Sequence, residues 1–147
     1  MKKIVNIAVV GCADVAIRKV LPALHNLKSD FNLTAIASRD YQKAKELAIT
    51  YDCEAVEGYE NLLKIAHIDA VYIPLPTGLH DKWVTFFLKA GKHVYVEKPV
   101  SMSADDTSKF IALAKQKSLS LFEGYMFKHH NQHKVIKKII RQGIIGD

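Results

Sequence analysis

Hydrophobic positions along this chain fall into two alternating patterns. Short continuous apolar runs are typical of strands that a parallel sheet buries on both faces. The first of them, Val5–Val10, is interrupted only by Asn6. A segment with helical spacing follows and places four apolar residues on one side: Val15, Val20, Leu24 and Leu27. Pro22 lies inside this predicted helix and should kink it, because proline lacks an N–H group and crowds the carbonyl of Arg18.

The same alternation continues along most of the chain. In chain order it predicts a strand over Leu33–Ser38, a helix over Tyr41–Tyr51, a short strand over Glu54–Val56, a short helix over Tyr59–Ile65, a strand over Ala70–Ile73, a helix over Leu79–Ala90 that Gly91 ends, a strand over His93–Val96, a helix over Ala104–Lys117 and a strand over Leu119–Glu123. Strands that alternate with such helices form right-handed crossovers and a parallel sheet. The six strands therefore predict an α/β fold with a doubly wound parallel sheet of the Rossmann type.

The last part of the chain departs from this alternation. Asn131–Gln142 predicts an amphipathic helix that Gly143 would cap. Its apolar side carries Val135, Ile136, Ile139 and Ile140, and its basic side Lys134, Lys137, Lys138 and Arg141. We expect the Rossmann domain over residues 1–124 and a connecting segment with this helix over 125–147. The residues Ile144–Asp147 resemble the start of a further element, so we expect the chain to be truncated before a second α/β domain.

Composition and charge restrict the partners that the chain can have. Apolar residues make up 49% and charged residues 24%, as in ordinary globular domains, and no apolar run approaches the roughly 18 residues of a membrane span. The net charge of +6 would suit an anionic partner, but the lysines are spread out and no DNA- or RNA-binding signature is present. Cys12 and Cys53 match no metal or redox spacing. These features predict a cytoplasmic protein with no membrane association and no specific nucleic-acid partner.

The turn after the first strand carries a candidate phosphate-binding loop. Its residues are Gly11, Cys12, Ala13, Asp14, Val15 and Ala16. Gly11 would make the tight turn, and the free N–H groups at the helix start would face a pyrophosphate. Ala13 replaces the glycine that normally permits close approach, and Asp14 either lies near the anion or caps the helix. We expect Gly11–Val15 to contact a dinucleotide, with Cys12 either a thiol of lowered pKa or, as we favour, a small buried filler.

The end of the second strand bears on the choice of dinucleotide. Ser38 and Arg39 stand where an NAD-binding sheet carries an acid for the ribose 2′-hydroxyl. A hydroxyl and a guanidinium suit a 2′-phosphate, and arginine also stacks on adenine. These two residues favour NADP(H). In the alternative, Asp40 holds the ribose of NAD and Arg39 is a surface charge.

Three further motifs narrow the choice among dinucleotide-binding proteins. They are Glu97-Lys98-Pro99 after the fifth strand, Pro74–His80 after the fourth, and Glu123–His130 after the sixth. These motifs occur along the chain in the same order as in the Gfo/Idh/MocA oxidoreductase family, which the sequence resembles over its whole length. Within the family, the loop at Gly11 and Leu21–Leu24 look most like the nucleotide-sugar 3-ketoreductases.

The resemblance implies roles for two residues after the fifth strand. Lys98 would be the catalytic residue, reaching the nicotinamide ribose and the reacting oxygen of the substrate. Hydride addition to a ketone leaves a developing alkoxide, which a nearby ammonium stabilises or protonates. Glu97 would orient Lys98 or touch the cofactor.

The resemblance also implies a cofactor-binding role for the segment after the fourth strand. The backbone of Leu75 and Pro76 would line the nicotinamide side. Thr77 would lie beside them and cap the next helix. His80, one turn into that helix, is either a structural hydrogen-bonding residue or a cofactor contact.

Two departures from the family pattern lie after the sixth strand. Lys128 stands where many members have arginine, so contacts to the substrate there are in doubt. Asn131 replaces a proline, and the helix can still begin because asparagine is a good N-cap. The nearby His129, His130 and His133 suggest a metal ion, but no carboxylate or cysteine completes the set, so we expect no metal site.

The residues and the resemblance together favour an oxidoreductase that moves hydride between NADP(H) and a sugar or nucleotide-sugar hydroxyl or ketone. Within the enzymes, the alternative is an inositol or dihydrodiol dehydrogenase that uses NAD. Outside them, the alternative is a catalytically incomplete NAD(P)-binding module. Nucleic-acid binding by the basic segment Lys128–Arg141 is the third possibility, and it requires strongly salt-dependent affinity. We expect the full-length form to be a homo-oligomer, because family members dimerise through their second domain, and the chain alone to be inactive.

Overall fold

The computed structural model describes residues 3–144. Its six strands are β1 (Val5–Val10), β2 (Phe31–Ser38), β3 (Glu54–Glu57), β4 (Ala70–Ile73), β5 (His93–Val96) and β6 (Leu121–Glu123). They pair in parallel into one sheet with the order β3-β2-β1-β4-β5-β6. The order reverses between β1 and β4, as it does in doubly wound sheets that bind dinucleotides. The predicted fold class is confirmed.

Helices cover both faces of the sheet. They are α1 (Leu21–Asn26), α2 (Tyr41–Tyr51), α3 (His80–Lys89), α4 (Ala104–Gln116) and α5 (Gln132–Arg141). Alternate residues of β1 separate the two cores, because successive side chains of a strand point to opposite faces. Ala8 and Val10 join the core beneath α3 and α4, whereas Ile7 and Val9 join the core beneath α1. Burial on both faces explains why the strands are nearly continuous apolar runs.

The first helical segment changes from π-helical to α-helical turns next to Pro22. A π-helical turn covers Ala16–Val20, in which the N–H of Leu21 donates to the carbonyl of Ala16, and α1 begins after it with Pro22 in its first turn. The extra residue in the π-turn rotates the buried face, so the predicted apolar side is partly wrong. The buried residues are Ala16, Val20, Leu21 and Leu24, while Leu27 is 44% exposed.

Most other boundaries lie within two residues of the predicted ones. β2 begins two residues early at Phe31, because Asn32 donates from Nδ2 to Oδ1 of Asn6 on β1 at 3.0 Å and so belongs to the sheet. β6 begins two residues late at Leu121, because the N–H of Leu119 still bonds the carbonyl of Ala114 in α4. The predicted short helix is a 3₁₀ turn over Glu60–Lys64, and unpredicted turns of this kind cover Thr77–Leu79 and Met126–His129.

The two predicted glycine caps have the left-handed conformation that the ends of helices favour. Gly91, after α3, has a φ of +77°, and Gly143, after α5, has one of +67°. The N–H of Gly91 donates to Leu88 and that of Lys92 to Phe87, which is the Schellman pattern. At the start of α5 the prediction is wrong. Asn131 makes no side-chain cap.

Helix α5 forms little contact with the rest of the fold. None of the residues of α5 is buried, and its apolar side is largely open to solvent. The side chains of Val135, Ile136 and Ile140 are each about half exposed. Residues 145–147 of the predicted connecting segment lie outside the described residues.

Candidate functional site

The carboxyl ends of β1, β2 and β4 surround an open groove of about 450 Å³. Seven predicted site residues line it: Gly11, Cys12, Ala13, Ser38, Arg39, Leu75 and Pro76. Pro74, the neighbour of Leu75, also lines the groove. Asp40, Lys43 and Tyr59 complete the lining, and the sequence analysis did not assign Lys43 or Tyr59 to the site. The groove lies where the strand order reverses, which is where open α/β sheets bind their ligands.

The loop at Gly11 has the geometry of a phosphate-binding turn. Gly11 has a φ of +109°, which residues with a Cβ rarely adopt, and its N–H donates to the carbonyl of Ala37 at 2.8 Å. The N–H groups of Cys12 and Ala13 donate to no acceptor within residues 3–144. Unpaired N–H groups at the start of a helix favour an anion. The residues present therefore fit a dinucleotide pyrophosphate.

Asp14 pairs with a cation one turn along the helical segment. Its Oδ2 atom lies 2.9 Å from Nε of Arg18, and both side chains are mostly exposed. No side-chain cap forms at this helix start. The ion pair moderates the negative charge that Asp14 would otherwise place beside a bound phosphate. Val15 is half-buried behind it.

Cys12 is a half-buried thiol, and burial raises its pKa above the ordinary value. A hydrogen bond with Ser38 and the charge of Lys43 act in the opposite direction but more weakly. The alternative of a lowered thiol pKa is therefore wrong. Cys12 stays protonated at neutral pH and fills space beside the loop.

The end of β2 presents two cations to the groove. Arg39 forms no ion pair with any residue in the described part of the chain. Lys43 lies in the first turn of α2, with its Nζ 3.8 Å from Oδ2 of Asp40. Ser38 is buried, and its Oγ accepts a hydrogen bond from the N–H of Asp40 at 3.1 Å.

Asp40 has a structural task that limits its use as a ribose ligand. Its Oδ1 atom accepts hydrogen bonds from the N–H groups of Gln42 and Lys43, which makes it the N-cap of α2. Its other oxygen faces the ammonium of Lys43. This arrangement favours the NADP(H) interpretation of the sequence over the NAD alternative.

Lys98 follows β5 and is exposed, and the Lys98–Pro99 peptide bond is cis. Glu97 beside it is buried, and its Oε1 atom accepts a hydrogen bond from the Tyr72 hydroxyl at 2.8 Å. Burial, then the hydrogen bond to Glu97, raises the pKa of Tyr72 far above its ordinary value, so Tyr72 remains a donor. No ion pair joins Glu97 to Lys98 within residues 3–144. The carboxylate of Glu97 therefore contacts Tyr72 of β4 and not the ammonium of Lys98.

The residues after Lys98 are tied to the neighbouring strand. The N–H of Val100 donates to Oε1 of Glu123 at 2.7 Å. Gly124 approaches the sheet so closely that a Cβ would lie 3.2 Å from Oε1 of Glu97 and 3.3 Å from the carbonyl oxygen of Val96. The sequence analysis included Glu123 and Gly124 only as part of a motif. Their contacts with Val100 and Glu97 are long-range and leave no local signal.

His80 is fully buried at the start of α3 and has three carbonyl oxygens around its ring. Nε2 lies 2.8 Å from the carbonyl oxygen of Leu75. Nδ1 lies 3.0 Å from that of Pro99 and 3.2 Å from that of Val100. Of the two roles left open by the sequence, the structure shows the hydrogen-bonding one. Thr77 makes no side-chain cap at the turn before α3, so that expectation is wrong.

The three histidines after β6 have partners in their own segment or in β6. His130 accepts the N–H of Gln132 at Nδ1, which gives α5 the side-chain cap that Asn131 does not supply. His133 has its Nε2 2.8 Å from the carbonyl oxygen of Phe127, and the ring of His129 packs near Phe122. Within residues 3–144, no three His, Cys, Asp or Glu side chains are grouped as metal ligands. None of the helices described there is long and apolar enough to cross a bilayer.

Comparison with known proteins places the groove in context. Residues 5–125 match the model of the oxidoreductase family with a NAD-binding Rossmann fold, GFO_IDH_MocA. The chain is 45% identical over 147 residues to a dTDP-3,4-didehydro-2,6-dideoxy-alpha-D-glucose 3-reductase from Saccharopolyspora spinosa, covering all of this chain and 44% of that protein. It is 29% identical over 145 residues to the human trans-1,2-dihydrobenzene-1,2-diol dehydrogenase, covering 98% of this chain and 42% of that protein.

A solved structure shows the same arrangement of elements. It is the 3-ketoreductase KijD10 from Actinomadura kijaniata, in its open conformation and in complex with TDP-benzene and NADP. The TM-score is 0.94 at 41% identity, and the match covers 99% of this chain and 46% of KijD10. The chain thus spans less than half the length of these relatives.

Proposed function

The chain belongs to the Gfo/Idh/MocA oxidoreductase family, and we propose that it binds NADP(H) for hydride transfer to or from a sugar-type ketone or hydroxyl. The observation that carries the proposal is the pair of cations, Arg39 and Lys43, at the end of β2 beside the hydroxyl of Ser38. A 2′-phosphate carries the charge that such a pair attracts, whereas a free 2′-hydroxyl does not. The complex of KijD10 with NADP supports the same cofactor.

The loop at Gly11 would hold the pyrophosphate of the cofactor. Its free N–H groups lie beside the start of the helical segment, and Leu75 and Pro76 line the facing wall of the groove. Ala13 is half-buried in this turn and lines the groove, so its methyl group would lie near a bound phosphate. The nicotinamide ring of the bound cofactor would supply or accept the hydride.

Lys98 would act on the oxygen of the substrate. It is exposed after β5, and no carboxylate in the described residues holds its ammonium. A free ammonium at the carboxyl end of a parallel strand can donate a proton to an oxygen that gains negative charge. In the reverse reaction the same amine would take the hydroxyl proton. Glu97 and Glu123 would act through the backbone around Lys98 rather than on the substrate.

The substrate class follows from the relatives. Four of them, including the protein from Saccharopolyspora spinosa, are nucleotide-sugar 3-reductases at 40–45% identity. We propose a nucleotide-linked sugar as the substrate of the whole protein. The NAD-dependent dihydrodiol alternative is less well supported, because the human dihydrodiol dehydrogenase is 29% identical.

The segment 125–147 would connect the Rossmann domain to a second domain that forms the other wall of the substrate site. The relatives are more than twice as long as this chain, and the apolar side of α5 is exposed as a domain interface would be before it is covered. Oligomerisation would then belong to the longer protein. The end of β6 at Glu123 supports a boundary near residue 124.

Isothermal titration of this chain with NADPH and NADH tests the proposal. We expect NADPH to bind with a Kd in the micromolar to millimolar range and NADH to bind more weakly. No nucleotide-sugar should be oxidised or reduced by the chain alone, since a single open groove does not exclude water from a substrate. Tighter NADH binding would overturn the cofactor assignment. Steady-state turnover by the chain alone would contradict the proposal that a second domain must complete the substrate site.

A further inference from the structure

The buried imidazole of His80 connects two segments that the proposed function uses separately. One is the segment at Leu75, which forms a wall of the cofactor groove, and the other is the segment that follows Lys98. Leu75 is five residues from His80 in the sequence, whereas Pro99 and Val100 are 19 and 20 residues away. We propose that His80 is a positioning residue, which fixes Lys98 relative to the cofactor through these backbone contacts.

The Nε2 side of the ring acts on the cofactor groove. The carbonyl oxygen of Leu75 lies 2.8 Å from Nε2, in a contact that is fully buried. The side chain of the same leucine packs on Gly11, with its Cδ2 2.8 Å from the position of a Cβ there. A bond that fixes the backbone of Leu75 therefore also fixes the wall against which the phosphate loop rests.

The Nδ1 side of the ring acts on the segment after Lys98. Nδ1 faces the carbonyl oxygens of Pro99 and Val100, the two residues that directly follow the lysine. From the opposite side, Glu123 accepts the N–H of Val100 at 2.7 Å. The peptide groups around Val100 are therefore held between an imidazole and a carboxylate. Such a two-sided attachment limits the positions that the exposed Lys98 side chain can sample.

The chemistry of the ring suits it to this connection. All three partners are carbonyl oxygens, which only accept, so each bond needs a proton on the ring nitrogen. A neutral imidazole donates to one side at a time, so the two sides are hydrogen-bonded at once only when both ring nitrogens carry a proton. Asparagine can place an amide donor near the position of Nδ1, and glutamine can place one near the position of Nε2. The two variants therefore separate the two halves of the connection.

The inference rests on the proposed function, which assigns the catalytic role to Lys98. The contacts of His80 can nevertheless be tested on this chain. We would prepare His80→Asn, His80→Gln and His80→Ala. The exchange rate of the Val100 amide reports the Nδ1 side, because that N–H is the one bonded to Glu123. The Kd for NADPH reports the Nε2 side. His93→Ala is the matched control, since the Nδ1 of His93 accepts the N–H of Ser120 at 2.9 Å at the other end of β5.

We expect the two readouts to separate. His80→Gln should speed exchange at Val100 about fivefold or more, the effect of one lost hydrogen bond, and leave the Kd for NADPH within about twofold. His80→Asn should raise that Kd about fivefold and leave exchange at Val100 within about twofold. His80→Ala should change both, and His93→Ala neither. In a longer, active form of the protein, His80→Gln should lower kcat more than it raises KM for the cofactor.

Other outcomes would overturn the inference. A merely structural histidine would change both readouts together, in proportion to the loss of global stability, in all three variants. Equal exchange at Val100 in the asparagine and glutamine variants would therefore contradict the positioning role. If the unmodified chain does not bind NADPH, the proposed function fails, and exchange at Val100 still decides whether His80 holds the segment after Lys98.

Discussion

The Cδ2 atom of Leu75 lies 2.8 Å from the position that a Cβ would occupy on Gly11. Real Cβ atoms do not approach a neighbour so closely, so any larger residue at position 11 must displace the leucine. The φ of +109° at Gly11 adds a second restriction, because L-residues with a side chain rarely adopt it. The tight turn and the wall of the groove are therefore specified by the same glycine.

Replacing this glycine should be harmful, whereas replacing another glycine in the same part of the fold should not. Gly11→Ala is expected to lower the free energy of unfolding by about 1–3 kcal/mol, the scale of a residue held at an unfavourable φ. It should also weaken NADPH binding. Gly78→Ala is the control, because a Cβ there meets nothing within 4 Å. Chemical denaturation measures both, and equal stability of the two variants would contradict the role of Gly11.

The cations at the end of β2 predict the cofactor preference. Arg39→Ala should weaken NADPH binding by about 1–3 kcal/mol, the scale of a charge-assisted contact, and leave NADH binding nearly unchanged. Lys43→Ala should act in the same direction. Lys45→Ala is the control, since Lys45 is exposed on α2 and does not line the groove. Titration calorimetry with both cofactors gives the comparison. Equal losses for NADPH and NADH would show that Arg39 holds the adenine or the fold instead.

Lys98 is expected to affect turnover much more than cofactor affinity. In a longer, active form, Lys98→Met should reduce kcat at least about a hundredfold, the lower end of general acid–base catalysis. The Kd for NADPH should change much less, because the groove that binds the phosphates is formed elsewhere. Lys117→Met, an exposed lysine at the end of α4, serves as the control. Near-normal turnover by Lys98→Met would remove the lysine from the mechanism.

We expect the carboxylate of Asp69 to cause part of the loss of folding stability at low pH. Hydrogen bonds from Asn6, chiefly its backbone N–H, and from Lys3 lower the pKa of the Asp69 carboxyl below 3.8. A lowered pKa in the folded state stabilises the fold above the ordinary pKa, and the contribution is lost as pH falls through the lowered value. Asp69→Asn should therefore reduce stability at pH 7 and flatten its decline below about pH 4.

Thermal unfolding at several pH values measures this effect of Asp69. Glu54→Gln, at an exposed residue on the edge strand β3, is the control. Parallel stability curves for the unmodified chain and Asp69→Asn would show that the carboxylate contributes nothing to the pH dependence.

Where local pattern and sheet burial agree, the elements follow from the sequence. β4 and β5 have the predicted bounds because their runs are largely buried on both faces. Proline, which cannot donate to a sheet, follows β4 at position 74, and the polar Glu97 follows β5. β2 is longer than its apolar run because Asn32 is paired by a side chain from β1, 26 residues away. The apolar side of the first helix was misplaced because hydrophobic spacing assumes α-helical turns, and Ala16–Val20 is π-helical.

The sequence was sufficient to predict which loops form the site. It was not sufficient to predict the contacts between the side chains and backbone groups of those loops. Ser38 ends β2, and Gly11 and Arg39 directly follow β1 and β2, so their position at the edge of the sheet follows from the order of the elements. Lys43 was missed because it lies within a helix, although residues in a first helical turn lean back toward the preceding strand end. Two partners of His80, Pro99 and Val100, could not be identified, because they depend on how α3 packs against the segment after β5.

The central strand β1 has two neighbours that are far apart in the chain. Asn6 pairs with Asn32, 26 residues later, on one side, and its neighbour Ile7 pairs with Ala70 of β4 on the other, a separation of 63 residues. At a ribosomal rate of about 5–20 residues per second, β4 is made about 3–12 seconds after β1. During that interval one edge of β1 lacks the partner that it has in the folded sheet. The order of synthesis thus leaves β1 exposed to wrong strand partners until β4 arrives, which makes slow translation of residues 11–69 a risk for aggregation.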